Sequence, residues 1–214
     1  MANQNLTHLM FLLDRSGSMQ SIKTDVIGGF HAFVEEQRTG DGQCTATLAQ
    51  FDNEYEVVYR NIPLADVPQL VLEPRGSTAL LDSMGRLITA AAIQINELSE
   101  DDKPGTVIVA IMTDGFENAS REWRQPDIKA LVEQQSNEFG WEFLYMGANQ
   151  NAVEVGKGLG VKAEQSITYS RGKSREAMEV VSDNVRKYRN AKIRDCAARM
   201  PEFSDEQRSR ASGD

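Results

Sequence analysis

Asp14, Ser16 and Ser18 place three hard oxygen donors on alternate positions of one short turn, within Met10-Phe11-Leu12-Leu13-Asp14-Arg15-Ser16-Gly17-Ser18-Met19. Oxygens of this kind suit a hard divalent cation, and Gly17 lets the backbone curl around whatever they hold. The same turn reads equally well as a serine-rich cap on the helix that follows. A second carboxylate, Asp114, follows the apolar run Thr106-Val107-Ile108-Val109-Ala110-Ile111-Met112 in the sequence Thr113-Asp114-Gly115. Thr78 lies in a third turn, Gly76-Ser77-Thr78-Ala79, where either Ser77 or Thr78 would make a natural helix cap.

Turns present side chains at fixed positions only when rigid elements hold them. The runs 10–13 and 106–112 are apolar on both faces and too short to require helices, so both read as buried central strands of a parallel sheet. Their carboxyl ends then open into the crevice where open α/β sheets bind ligands. Ile22, Val26, Ile27, Phe30, Phe33 and Val34 recur at helical spacing, and Leu80, Met84, Leu87, Ile88, Ala91, Ile95 and Leu98 mark a longer helix. Residues 44–52 and 55–60 form an antiparallel hairpin that gives the sheet one antiparallel edge. Three prolines, Pro63, Pro68 and Pro74, restrict residues 61–75 to at most a short helix.

Further on, Pro126 opens a helix that Gly140 stops, and residues 141–146 read as a strand. Gly156, Gly158 and Gly160 fit a short helix and its exit loop, since a dinucleotide loop would follow a strand. A small strand at 167–169 and a helix carrying Met178, Val181, Val185 and Tyr188 complete a single domain over 1–200, with 201–214 as a polar, frayed tail.

The 214-residue length suits one core, and a charged fraction of 26% beside 40% hydrophobic residues is that of an ordinary globular protein. A net charge of -9 disfavours a nucleic-acid partner held through phosphates. Two cysteines, Cys44 and Cys196, indicate neither a disulfide framework nor a thiolate metal site and are expected as buried structural thiols. Without a basic-then-apolar leader or an apolar run of spanning length, a cytoplasmic protein with no membrane partner is expected.

Asp-Arg-Ser-Gly-Ser at 14–18, Gly-Ser-Thr-Ala-Leu-Leu-Asp at 76–82 and Met-Thr-Asp-Gly at 112–115, in that order and at those separations, resemble a von Willebrand factor A (vWA) domain with its metal-ion-dependent adhesion site. The likeness covers nearly the whole chain. A looser one to small stand-alone bacterial and phage members runs through 118–123 and 141–149. The resemblance implies an α/β fold, with a Rossmann-like, doubly wound, mostly parallel six-stranded sheet, one antiparallel edge strand and helices on both faces. It also implies a metal site of Asp14, Ser16, Ser18, Thr78 and Asp114, in which the hydroxyls ligate directly and the aspartates often act through water.

Hydroxyl and carboxylate ligands without sulfur or imidazole favour magnesium, with manganese or calcium as alternatives. In the resembled family such an ion keeps an open or water-filled position, which an Asp or Glu of a partner protein completes. Arg15, Met19, Ser77, Gly115 and Phe116 are the candidate contact rim, with packing as the competing role for Met19 and Phe116. Asp82, one turn into the helix after Thr78, is a candidate for holding the loop by a hydrogen bond from outside the ligand set. His8, expected just ahead of its strand, and His31, within a helix, lie away from the three turns and are assigned no role beyond structure or surface.

These features point to a metal-dependent binding module and not an enzyme. A metal-dependent hydrolase or phosphoryl-transfer enzyme is the competing reading, opposed by the lack of a second carboxylate pair, of a histidine near the motif and of a phosphate-cradling loop. A third reading is a structural component of a phage or bacterial assembly. The resemblance also extends to adaptors that work with an AAA+ ATPase and to stress-response systems, and nothing in the residues selects among these contexts.

Overall fold

The computed structural model describes residues 2–148 and 151–213. Asn149, which closes the looser likeness over 141–149, lies outside the described residues. Strands β1 (Asn3–Asp14), β2 (Gln43–Phe51), β3 (Tyr55–Pro63), β4 (Pro104–Thr113), β5 (Glu142–Ala148) and β6 (Ser166–Tyr169) form one six-stranded sheet in the order β3-β2-β1-β4-β5-β6. Only the β2–β3 pair is antiparallel, as expected from the hairpin; the other four pairs are parallel.

Both faces of the sheet are covered, which is why its central strands read as unbroken apolar runs. Leu9, Phe11 and Leu13 of β1 join a core with α1 (Lys23–Arg38), α5 (Ser174–Arg194) and α6 (Asp205–Ser212). Met10 and Leu12 join the opposite core with α2 (Leu80–Glu97), α3 (Gln125–Phe139) and α4 (Ala152–Gly158). Phe11 meets Phe30 and Phe33 edge to face, at centroid distances of 5.0 and 4.8 Å. Buried Arg189 locks α5 to α1 by donating through Nη1 to the carbonyl and side-chain oxygens of Gln37, each at 2.9 Å.

From β1 the chain winds outward through β2 and β3, then returns to β4 and winds the other way through β5 and β6. The order therefore reverses between β1 and β4, and the carboxyl ends of those two strands flank the crevice that results. Asp14 ends β1 and Asp114 directly follows β4, so both candidate carboxylates stand at that reversal.

Three expectations need correction. Residues beyond Pro201 are no frayed tail: α6 docks on β6, with Phe203 and Ala211 buried, as is Met200 just ahead of Pro201. Three apolar residues so widely spaced carry no periodic signal, but Ser204 and Gln207 do form a capping box, Ser204 Oγ accepting from Gln207 N at 3.2 Å and Gln207 Oε1 accepting from Ser204 N at 3.0 Å. Cys196 is exposed because it falls just past the end of α5, whereas Cys44 is half-buried and packs against the core; both are free. His8 lies inside β1 and does not precede it. Among the described residues no helix is long and apolar enough to cross a membrane.

Candidate metal centre

The centre is built from three turns at the β1–β4 reversal. Asp14 is fully buried, accepting from Ser16 N at 2.6 Å through Oδ1 and from Thr113 Oγ1 at 2.6 Å through Oδ2. Ser16 Oγ lies 3.1 Å from Ser18 Oγ, and the Ser18 hydroxyl donates to Asp114 Oδ1. Thr78 is buried in the second turn. Gly115 shows how closely the turns converge. A methyl group built on its Cα would lie 3.1 Å from Thr78 Oγ1, 3.6 Å from Ser18 Oγ and 3.9 Å from Asp14 Oδ2. Glycine at this position keeps open a small space bounded by oxygens from both of the other turns.

The electrostatics of that space are unbalanced. Burial pushes the Asp14 carboxyl up to about 6, despite its bonds from Thr113 and Ser16. Burial likewise raises Asp114, against the pull of Ser18 and of Arg171. Asp114 Oδ2 is buried and accepts no hydrogen bond from the described residues; its nearest cation is Arg171 Nη2 at 3.6 Å. Among the described residues no three of His, Cys, Asp and Glu gather to hold a metal, so any ion here depends on hydroxyl ligands. An orphaned carboxylate oxygen beside a glycine-sized opening and three hydroxyl-bearing residues fits a hard cation.

The turns are fastened to one another by groups that motif reasoning did not single out. Asp52, past the end of β2, accepts from Arg15 Nε at 3.0 Å and from Arg75 Nε at 2.8 Å. Burial alone would raise Asp52, but the Arg75 and Glu54 N–H bonds and the Arg15 charge hold it below the usual carboxylate range. Backbone bonds from Gly17 N to Gly76 O (3.2 Å) and from Arg75 N to Arg15 O (2.8 Å) join the first turn to the second. Asn118 clamps Thr78 from the third, its Oδ1 accepting from Thr78 N at 2.9 Å and its N–H donating to Thr78 O at 3.0 Å.

Neither Ser77 nor Thr78 caps α2 as expected. The residue before the helix is Ala79, and the first free N–H groups, of Leu81 and Asp82, donate to Glu117 Oε2 at 2.9 Å and Ser120 Oγ at 3.0 Å. The β4–α3 loop thus caps α2 and releases the Thr78 hydroxyl toward the centre. Asp82 returns the connection, its carboxylate accepting from the backbone N–H of Arg121, Glu122 and Trp123 at 2.8 to 2.9 Å. The loop it holds is this one, across from the Thr78 turn.

Two rim candidates drop out on burial. Arg15 is committed to Asp52 and Glu56 beneath the turn, and Met19 is sealed in the core. Ser77 and Phe116 are exposed and Gly115 half-buried. Phe116 borders a cavity of about 190 Å³ lined by Leu80, Leu81, Val155 and Leu159. The histidines stay apart: His8 bonds to Thr45 and Thr47, and His31 accepts from Leu70 N.

Neither a protein-family model nor a curated protein sequence matches the chain. Solved structures do. Proximal thread matrix protein 1 from the mussel byssus superposes with a TM-score of 0.62 at 14% identity, over 85% of this chain and 47% of that one. The fold is that of a vWA domain. The same mussel protein with a zinc-occupied MIDAS motif, the metal-ion-dependent adhesion site, gives 0.60 at 14% identity, over 85% of this chain and 46% of that one. The vWF domain of the type V pili tip protein Mfa5 from Porphyromonas gingivalis gives 0.58 at 10% identity, covering 84% of this chain and 94% of that domain. This vWA fold spans less than half the length of the mussel protein.

Proposed function

We propose that this chain is a metal-dependent protein-interaction module, in which Asp14, Ser16, Ser18, Thr78 and Asp114 hold a divalent cation and a partner protein supplies an Asp or Glu carboxylate to it. The observation that carries this reading is the convergence of Thr78 Oγ1, Ser18 Oγ and Asp14 Oδ2 on the open face of Gly115, beside the orphaned Asp114 Oδ2. A bound cation would add to the single half-exposed guanidinium of Arg171 the positive charge that two buried carboxylates call for, and would remain electrophilic toward an anionic ligand. The all-oxygen ligand set favours magnesium, with manganese or calcium as alternatives. The mussel protein supports the general point that this fold can house a metal at such a motif.

Ser77, Gly115 and Phe116 are the residues left to meet the partner around the ion. Phe116, 67% exposed next to an apolar cavity, supports a partner whose acidic residue is flanked by an apolar one.

The test is affinity capture from cell extract with tagged wild-type chain in magnesium, with the same chain in chelator and with Asp14→Ala as controls. Proteins retained only by the wild type in magnesium are the expected result. Capture that persists unchanged in chelator would sink the metal-dependent reading.

A further inference from the structure

The turn between β6 and α5, residues 170–173, delivers Arg171 to the mouth of the centre, with Nη2 3.6 Å from Asp114 Oδ2. Its neighbouring cations are already engaged, Lys173 with Glu176 at 2.8 Å and Arg175 with Glu179 at 3.2 Å. Arg171 is 52% exposed, so its guanidinium faces both the buried carboxylate and solvent.

Its mounting is anchored on two sides. Ser170 N donates to Ala211 O at 3.2 Å and Ser170 Oγ to Ser212 O, so the carboxyl end of α6 holds the turn. Tyr169, buried beneath it, donates to Thr113 O at 3.2 Å and ties the end of β6 to the end of β4. A side chain on so fixed a base loses less freedom on engaging a ligand than one on a loose loop.

We infer that Arg171 is a specificity residue of this centre, acting against the cation and for the anion: it shares Asp114 with the metal and offers its outward N–H groups to the incoming carboxylate. This deepens, and rests on, the metal-dependent reading above. A guanidinium and a dication served by one carboxylate repel each other, which weakens the cation. A carboxylate arriving at the same mouth is attracted by both and can be received by a planar fork of donors that an ammonium group lacks. Arg171 would therefore bias the loaded centre toward carboxylates over neutral oxygen ligands.

The experiment is calorimetric titration of the full chain with manganese chloride alone, then of the manganese-loaded protein with a blocked pentapeptide carrying a central glutamate, its glutamine counterpart serving as control. Wild type, Arg171→Ala, Arg171→Lys and Asp14→Ala are compared, with thermal melts to confirm folding. Arg171→Ala is expected to bind manganese about tenfold more tightly and the glutamate peptide about tenfold more weakly than wild type. Arg171→Lys, which keeps the charge, should match wild type for manganese and still lose peptide affinity. Equal manganese and peptide affinities in wild type and Arg171→Ala would overturn the role of Arg171 while leaving the metal centre standing. Manganese bound by no variant, or equally by wild type and Asp14→Ala, would overturn both.

Discussion

Thr113 donates its hydroxyl proton to Asp14 Oδ2 at 2.6 Å, so the last residue of β4 supports the carboxylate that ends β1. Leu13 and Met112 are register partners, which brings the following residues side by side across the strand reversal. The bond spans 99 residues of sequence and joins two of the three turns of the centre.

Thr113→Val preserves shape and removes that donor. Stability should fall by about 1–2 kcal/mol, the range for leaving a buried acceptor short of a partner. Urea unfolding of metal-free protein reads the loss, and an unchanged midpoint would show that the bond contributes nothing net.

Gly115→Ala fills the centre instead of loosening it. Its methyl group would stand 3.1 Å from Thr78 Oγ1, in the space on which the oxygens of the proposed ligands converge. Because the position has no left-handed backbone requirement, the fold should tolerate alanine, with a stability change under about 1 kcal/mol. Manganese affinity measured by calorimetry should drop at least about tenfold, since small displacements in a tight ligand set are costly.

The middle of β1 supplies a pH dependence through His8. Burial lowers the His8 imidazole from 6.5 to about 4, with Asn61 opposing the shift. Both ring nitrogens meet threonine hydroxyls, Nδ1 with Thr45 at 2.8 Å and Nε2 with Thr47 at 3.2 Å, a pairing that suits the neutral ring. Between those values the unfolded chain binds a proton that the folded chain refuses. Stability from this group is complete above pH 6.5 and is lost as pH falls toward 4, by up to about 3 kcal/mol. Urea melts at pH 7.5 and 4.5 should show a smaller difference for His8→Gln than for wild type; equal differences would refute the assignment.

Phe203→Ala, two residues ahead of α6, tests whether the segment that carries α6 belongs to the domain. Phe203 is 4% exposed and packs in the core shared by α1 and α5, so its removal should cost about 3–5 kcal/mol. A loss below about 1 kcal/mol in urea unfolding would mean that α6 docks too weakly to hold the Ser170 turn.

Much of this architecture was legible because it is encoded locally. The two-faced apolar runs ending at residues 13 and 112, the helical stripes through Phe30 and Leu87, and the stop at Gly140, whose φ is 67°, each reflect the conformational preference or burial of neighbouring residues. The donor turns were likewise readable, since Asp14, Ser16 and Ser18 lie within five residues, and the vWA resemblance supplied Thr78 and Asp114.

What remained hidden depends on pairings between distant segments. Arg15 reads as a contact-rim residue until Asp52, 37 residues away, is folded beneath it. Thr78 reads as a helix cap until Glu117 and Ser120 take over that task from another loop. Arg171 has no neighbour in sequence that would aim it at Asp114, and α6 has too few apolar residues to announce a buried face.

The sequence by itself determined which segments ahead of α6 are strands and helices and where hard oxygen donors stand along the chain, because backbone preference and hydrophobic period act over a few residues. Tertiary structure alone decided which of those donors face one another, which charges are buried with a partner, and which arginine guards the opening. Those outcomes follow from the strand order and from long-range hydrogen bonds that close only when the whole sheet is assembled.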